Sequence, residues 1–243
     1  MTRKMLIIAN PGEVGAENYC DGVNKDISAY KYYFTSAIGG GWYDSEINVL
    51  IRPFPSEVNA AIEKMRTIDY TMIVFCGHGY SYNDETILEL KKDFSYKASS
   101  LRTYSTRRTI ILDCCRKIEK NVLEKMYEFS ARVETRSAMS IAEARKYYED
   151  QIMICSPGLV ILNACDLDET AGDDSRKGGY YSYSLRDAAI YWGEGYHQYR
   201  SSLSVVGVHN AAVGRVRQLT SDKQNPQIEK PRSEPYFPFA VVV

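Results

Sequence analysis

Residues 71–79 read Thr71-Met72-Ile73-Val74-Phe75-Cys76-Gly77-His78-Gly79, and residues 109–116 read Thr109-Ile110-Ile111-Leu112-Asp113-Cys114-Cys115-Arg116. Each is a short, nearly continuous apolar run that ends abruptly in residues capable of chemistry. Runs of this kind are expected of strands covered on both faces, as in a parallel sheet. Three more occupy 5–9, 47–51 and 159–164, and a sixth at 237–242 closes the chain. Helical spacing fills the gaps. Ile27, Tyr30, Phe34, Ala37 and Ile38 share one face until Gly39-Gly40-Gly41 stops the pattern, and Val58, Ala61, Ile62 and Met65 form a second stripe behind Ser56 as its cap. Further helical patterns cover 118–129, 141–148, 181–192 and 203–216. The alternation predicts an α/β fold: a six-stranded, mostly parallel central sheet with helices on both faces, a three-layer sandwich. No repeat or linker divides the chain, so one domain over residues 1–243 is expected, with 166–179 and 221–235 as exposed polar loops.

The composition is that of an ordinary globular protein, with 44% hydrophobic and 25% charged residues in 243. Thirty basic against 31 acidic residues give a net charge of −1, which offers no electrostatic pull on nucleic acid or anionic lipid. The apolar run behind Met1-Thr2-Arg3-Lys4 is broken by Asn10-Pro11-Gly12, too early for a signal peptide, and no stretch nears the roughly 20 residues of a membrane span. Cys20, Cys76, Cys114, Cys115, Cys155 and Cys165 lack zinc-ligand spacing and include two sequence neighbours, so free thiols and a cytoplasmic location are expected.

In a doubly wound sheet, ligands meet the carboxyl ends of the strands. If the 71–76 and 109–112 strands are neighbours, His78 and Cys115 emerge on the same edge. An imidazole beside a thiol lowers the thiol pKa and later returns the proton to a leaving amine, the requirement of a cysteine peptidase. The backbone N–H groups of Gly79 and Cys115 are candidates for an oxyanion hole. Taken singly, each residue has a plainer explanation, a hydrogen-bonded loop histidine or an inert buried thiol. Cys114 is an alternative nucleophile, although strand alternation points neighbours in opposite directions.

These segments resemble the caspase-like cysteine peptidases, the clan of caspases, metacaspases and paracaspases. Residues 75–79 are similar to the strand and Gly-His-Gly of that clan. Leu112-Asp113-Cys114-Cys115-Arg116-Lys117 is similar to its paracaspase nucleophile segment, and Cys165-Asp166-Leu167-Asp168-Glu169-Thr170-Ala171 to the metacaspase segment after the next strand. Gly178 to Tyr183 falls where that family restarts with glycine and aromatic residues, and fainter echoes are Gly22 to Asp26 and Gln224-Asn225-Pro226. The resemblance implies a caspase-like fold with His78 and Cys115 as the dyad, and its register favours Cys115 over Cys114. Two departures stand out: the dyad spacing is shorter than the roughly 50 residues of caspases, and Arg116 replaces the His that follows the metacaspase nucleophile.

Asp113 and Asp168 near the nucleophile would favour a guanidinium, which carboxylates bind through charge-assisted hydrogen bonds. The resemblance implies the same preference, so cleavage after Arg, then Lys, is expected; the competing reading has Asp113 capping a backbone N–H or pairing with Arg116, and Asp168 solvating its loop. Arg176-Lys177 is a candidate self-cleavage site, with a solvated charge pair as the alternative. No cofactor is expected. Calcium stays open because Asp166, Asp168, Asp173 and Asp174 cluster without EF-hand spacing. Tyr80, Tyr82, Tyr180 and Tyr181 are candidates to line a peptide cleft. The insertion at 117–157 is either a lid or ordinary sheet-covering helices.

The expected partner is a protein or peptide substrate, with an activating protein or small ligand also open; no adaptor precedes the first strand, and oligomeric state is not legible. The resemblance suggests a stand-alone microbial effector in defence or cell death. Rival functions are a catalytically silent scaffold of the same fold and a nucleotide-binding domain; the absence of a Walker loop or Gly-x-Gly-x-x-Gly after a strand counts against the latter.

Overall fold

The computed structural model describes residues 1–102, 105–116 and 139–243. Five strands form the parallel part of the central sheet: β1 (Arg3–Asn10), β2 (Ile47–Ile51), β3 (Tyr70–Gly77), β7 (Arg107–Asp113) and β8 (Gly158–Asn163). Three antiparallel strands, β4 (Gly79–Tyr82), β5 (Glu85–Lys91) and β6 (Phe94–Lys97), lie between β3 and β7 in sequence as a separate meander. Nothing in the sequence reading anticipated it, because its alternation is short and its outer strands carry no buried residue, β4 being mostly half-buried and β6 mostly exposed.

The sheet order is β12-β8-β7-β3-β1-β2, where β12 (Gln227–Glu229) runs antiparallel to β8. The sixth strand is therefore not the expected 237–242 segment but three residues inside the expected 221–235 loop. The terminal segment does form a strand, β13 (Pro238–Val242), which pairs antiparallel with β11 (Ser201–Ser204) in a sheet of its own. An apolar run reports burial, not the partner that covers it, and β13 is buried against helices.

The helices are α1 (Asp21–Thr35), α2 (Pro55–Glu63), α3 (Ile141–Ile154), α4 (Tyr180–Gly193) and α5 (Val205–Thr220). Ser56 does not cap α2. Phe54 is the cap residue, its N–H donates to Glu57 Oε2 at 2.7 Å, and Pro55 takes the first turn, where a missing N–H costs nothing. The 118–129 helical pattern lies outside the described residues.

Strand alternation divides the core. Met5, Ile7, Ala9, Met72, Val74 and Cys76 point to one face, with Tyr30 and Phe34 of α1, Tyr148 of α3, Leu185 of α4 and Val208 of α5. Leu6, Ile8, Ile73, Phe75, Ile110 and Leu112 point to the other, with Val58 and Ile62 of α2 and Leu88 and Leu90 of β5. Helices thus cover both faces, as a parallel sheet requires. Register sets the functional edge: Asn10 lies opposite Gly77, and Cys76 opposite Asp113, so β1, β3 and β7 end almost flush. Among the described residues no helix is long and apolar enough to cross a membrane.

Candidate active site

The neighbouring strands β3 and β7 deliver His78 and Cys115 to one cavity, also lined by Cys20, Asp26, Asp113, Ala171, Asp173 and Gly179. Cys115 is half-buried, and its Sγ sits against a main-chain pair: the Ala171 N–H donates to it at 3.3 Å, and the Ala171 carbonyl lies 3.4 Å away. His78 Nε2 lies 3.8 Å from Cys20 Sγ, a neighbour that the sequence reading missed. Cys114 points away into the core and is buried, and burial pushes its thiol well above the ordinary range. Buried Cys76, Cys155 and Cys165 are free thiols too.

Gly79 opens β4 opposite Leu88. A side chain there would collide with the Ile87 carbonyl and with Cys114, so the meander can close over the strand ends only with glycine at this position.

Three carboxylates enter the cavity wall. Asp113 Oδ2 accepts from the Ser182 N–H at 2.8 Å, and burial raises its carboxyl above the usual range. Asp26, on the inner face of α1, accepts from the Gly179 N–H at 2.8 Å and from Arg186 Nη2 at 3.1 Å. Burial pushes the Asp26 carboxyl up to about 7, against the opposing pull of Arg186. Asp173 is the third. Gly178 and Gly179 admit this packing: a Cβ at either would strike Asp26 or Asp113 respectively, and Gly178 also has φ +97°.

Asp168 is not part of this wall. It is exposed in the left-handed region at φ +62°, and its N–H donates to the Arg116 carbonyl at 3.3 Å. The expectation that it faces the pocket is corrected by this turn, which directs it to solvent. Asp26 and Asp173 stand in its place. For Asp26 a signal existed, since Val23, Asp26, Tyr30 and Tyr33 follow helical spacing and put a carboxylate on an apolar stripe. Arg186 shows the same signal among Leu185 and Ala189 on α4.

The 166–179 segment is less open than expected. Its second half is a tight hairpin in which β9 (Asp173–Asp174) pairs with β10 (Gly178–Gly179). Arg176 is exposed at the tip, Lys177 is half-buried, and both of their N–H groups donate to Asp174 Oδ1. Among the described residues no three His, Cys, Asp or Glu side chains come together in a way that would hold a metal ion, so Asp166, Asp168, Asp173 and Asp174 do not form a joint site. Tyr180 and Tyr181 are core residues rather than cleft residues and Tyr82 is exposed, which leaves Tyr80 of the four expected to line a cavity.

The family model for the caspase domain matches residues 2–237, and the chain belongs to that family, whose members are cysteine peptidases. The fold is similar to the crystal structure of caspase-1 from Spodoptera frugiperda, with a TM-score of 0.59 at 11% identity, covering 94% of this chain and 86% of that one. No curated protein matches by sequence.

Proposed function

We propose that the chain is a cysteine endopeptidase that cleaves after Arg, and less readily after Lys, with Cys115 as nucleophile and His78 as general base and acid. The observation that carries this reading is the convergence of Cys115, His78 and three carboxylates on one cavity. The Cys115 thiolate adds to the scissile carbonyl, and the N–H groups of Gly79 and Cys115 receive the developing oxyanion. Collapse to a thioester expels the amine with a proton from His78, and water then hydrolyses the thioester. Asp26, Asp113 and Asp173 against the buried guanidinium of Arg186, which pairs with Asp26, leave a net negative wall, which suits a cationic side chain.

The cavity holds only about 30 Å³, room for little more than ordered water. Substrate entry therefore requires the 171–173 backbone to withdraw from Cys115. Arg176 at the hairpin tip is the better self-cleavage site, provided that the hairpin opens.

The test is hydrolysis of matched fluorogenic peptides ending in Arg, Lys or Asp, by wild-type protein and Cys115→Ala, under reducing conditions with and without calcium. Arg cleavage abolished by the substitution is expected. Preferential Asp cleavage would overturn the acidic-pocket assignment, and an equally active Cys115→Ala would overturn the nucleophile.

A further inference from the structure

Beyond His78 lies a larger cavity of about 630 Å³. It meets the acidic cavity at one residue only: His78 lines both, whereas Cys115, Asp26, Asp113 and Asp173 line the acidic one alone. Its floor is the end of β1, where Asn10 Nδ2 donates to the Glu89 carbonyl at 2.7 Å and Asn10 Oδ1 accepts from the Gly12 N–H at 3.1 Å. These bonds tie the loop after β1 to the meander and hold Gly12 against the imidazole; a Cβ there would lie 3.4 Å from His78 Nε2. The far walls are Arg52, which pairs with Glu13, and β5–β6, where Lys91 rests over the Phe54 ring at 3.8 Å.

The position of the imidazole assigns a role to this space. In thiol catalysis the leaving amine takes its proton from the general acid, so the departing half of the substrate must lie on the imidazole side of the nucleophile. On the peptidase reading the residue before the scissile bond occupies the acidic cavity, which holds Cys115, and His78 is the residue at which the two cavities meet. We infer that the 630 Å³ cavity seats the polypeptide leaving group, the residues that follow the scissile bond. This deepens the peptidase reading and rests on it.

The size is within the roughly 300–1,000 Å³ of cavities that bury a drug-sized ligand, enough for about three to four residues. Its charges balance: Glu13, Glu89 and Asp93 face Arg52, Lys91 and Lys92, with Tyr80 and Phe94 supplying apolar surface. The chemistry fits an uncharged leaving segment of mixed polarity. Binding energy gained away from the reacting bond is used in the transition state, so a substrate truncated at a fluorophore loses turnover as well as affinity.

The experiment compares two substrates with the same sequence up to Arg, one ending in a coumarin amide and the other continuing through four neutral polar residues to a quencher. Wild-type protein is expected to show kcat/KM at least tenfold higher on the extended substrate. Ser95→Trp and Ala16→Trp, which place bulk in the cavity, are expected to remove that advantage by lowering kcat/KM far more on the extended substrate than on the coumarin amide. Equal wild-type values, or equal losses on both substrates, would overturn the assignment. Absence of Cys115-dependent turnover of either substrate would fail the peptidase reading instead. A fluorescein-labelled peptide of the four leaving residues, with a free amine, then decides this inference: it should bind Cys115→Ala and not the double variant with Ser95→Trp, and no binding would overturn it.

Discussion

Glu169 and Asn225 meet through two hydrogen bonds of 2.7 Å, one from the Asn225 backbone N–H and one from its side-chain amide. Beside them the buried Gln224 accepts from the Gly172 N–H at 3.0 Å and donates to the Ala164 carbonyl at 2.9 Å. The segment that rests on Cys115 is thus clasped from outside by residues just ahead of β12. Asn225→Ala should loosen the clasp and speed alkylation of Cys115 by iodoacetamide several-fold, followed by mass spectrometry. An unchanged rate would show that the clasp does not govern access to the thiol.

The acidic wall makes a residue-by-residue forecast. A hydrogen bond to a charged group contributes about 1.5–3 kcal/mol. Asp113→Asn and Asp173→Asn should each lower kcat/KM on Arg peptides by about 10- to 100-fold, while Asp168→Asn, at a solvent-facing turn, should stay within about twofold of wild type.

Asp26 adds a pH dependence. Its carboxyl titrates near 7 because it is buried, so below that pH a bound cation must displace a proton. Affinity of Cys115→Ala for agmatine, an arginine-like cation, should strengthen as pH rises from 6 to 8. A flat isotherm series would remove Asp26 from the binding wall.

The two adjacent thiols should separate cleanly. Cys114 is buried with its pKa raised by burial, so brief alkylation should mark Cys115 and spare it. Cys114→Ala should cost about 1–2 kcal/mol of stability in a urea titration and retain most of the Arg-peptide activity.

His209 sets an acid limit on stability. Buried beside Tyr181, whose hydroxyl lies 2.7 Å from Nδ1, it titrates near 4 instead of 6.5 because burial disfavours the imidazolium. Between these values the unfolded chain binds a proton that the folded chain does not, so this group's contribution is intact above about 6.5 and is lost as pH falls toward 4. The loss is on the order of 3 kcal/mol. His209→Asn should flatten the fall in urea midpoint between pH 6.5 and 4.5.

The parallel strands are legible because each is a continuous apolar run, and the meeting of His78 and Cys115 at one cavity because each follows the end of such a run. What escaped were features with no local signature. β12 is Gln227-Ile228-Glu229, too short and polar to show a period, and its place is set by β8. β13 looked like its parallel counterparts, although β11 and the helices around it decide its pairing. Asp113 is legible from its place two positions before Cys115, and Asp168 only from the resemblance of residues 165–171 to the metacaspase segment, but a left-handed turn sends Asp168 outward. Asp26, nearly ninety positions upstream, arrives through the packing of α1.

A cut at the Arg176 tip would divide the covalent chain without dividing the molecule. β12 would still pair with β8, Asp26 would still accept from Gly179, and Asp113 from Ser182, each contact joining one fragment to the other. Two bands on a denaturing gel would then correspond to a single species on a sizing column, and the nick would read as a maturation mark rather than as degradation.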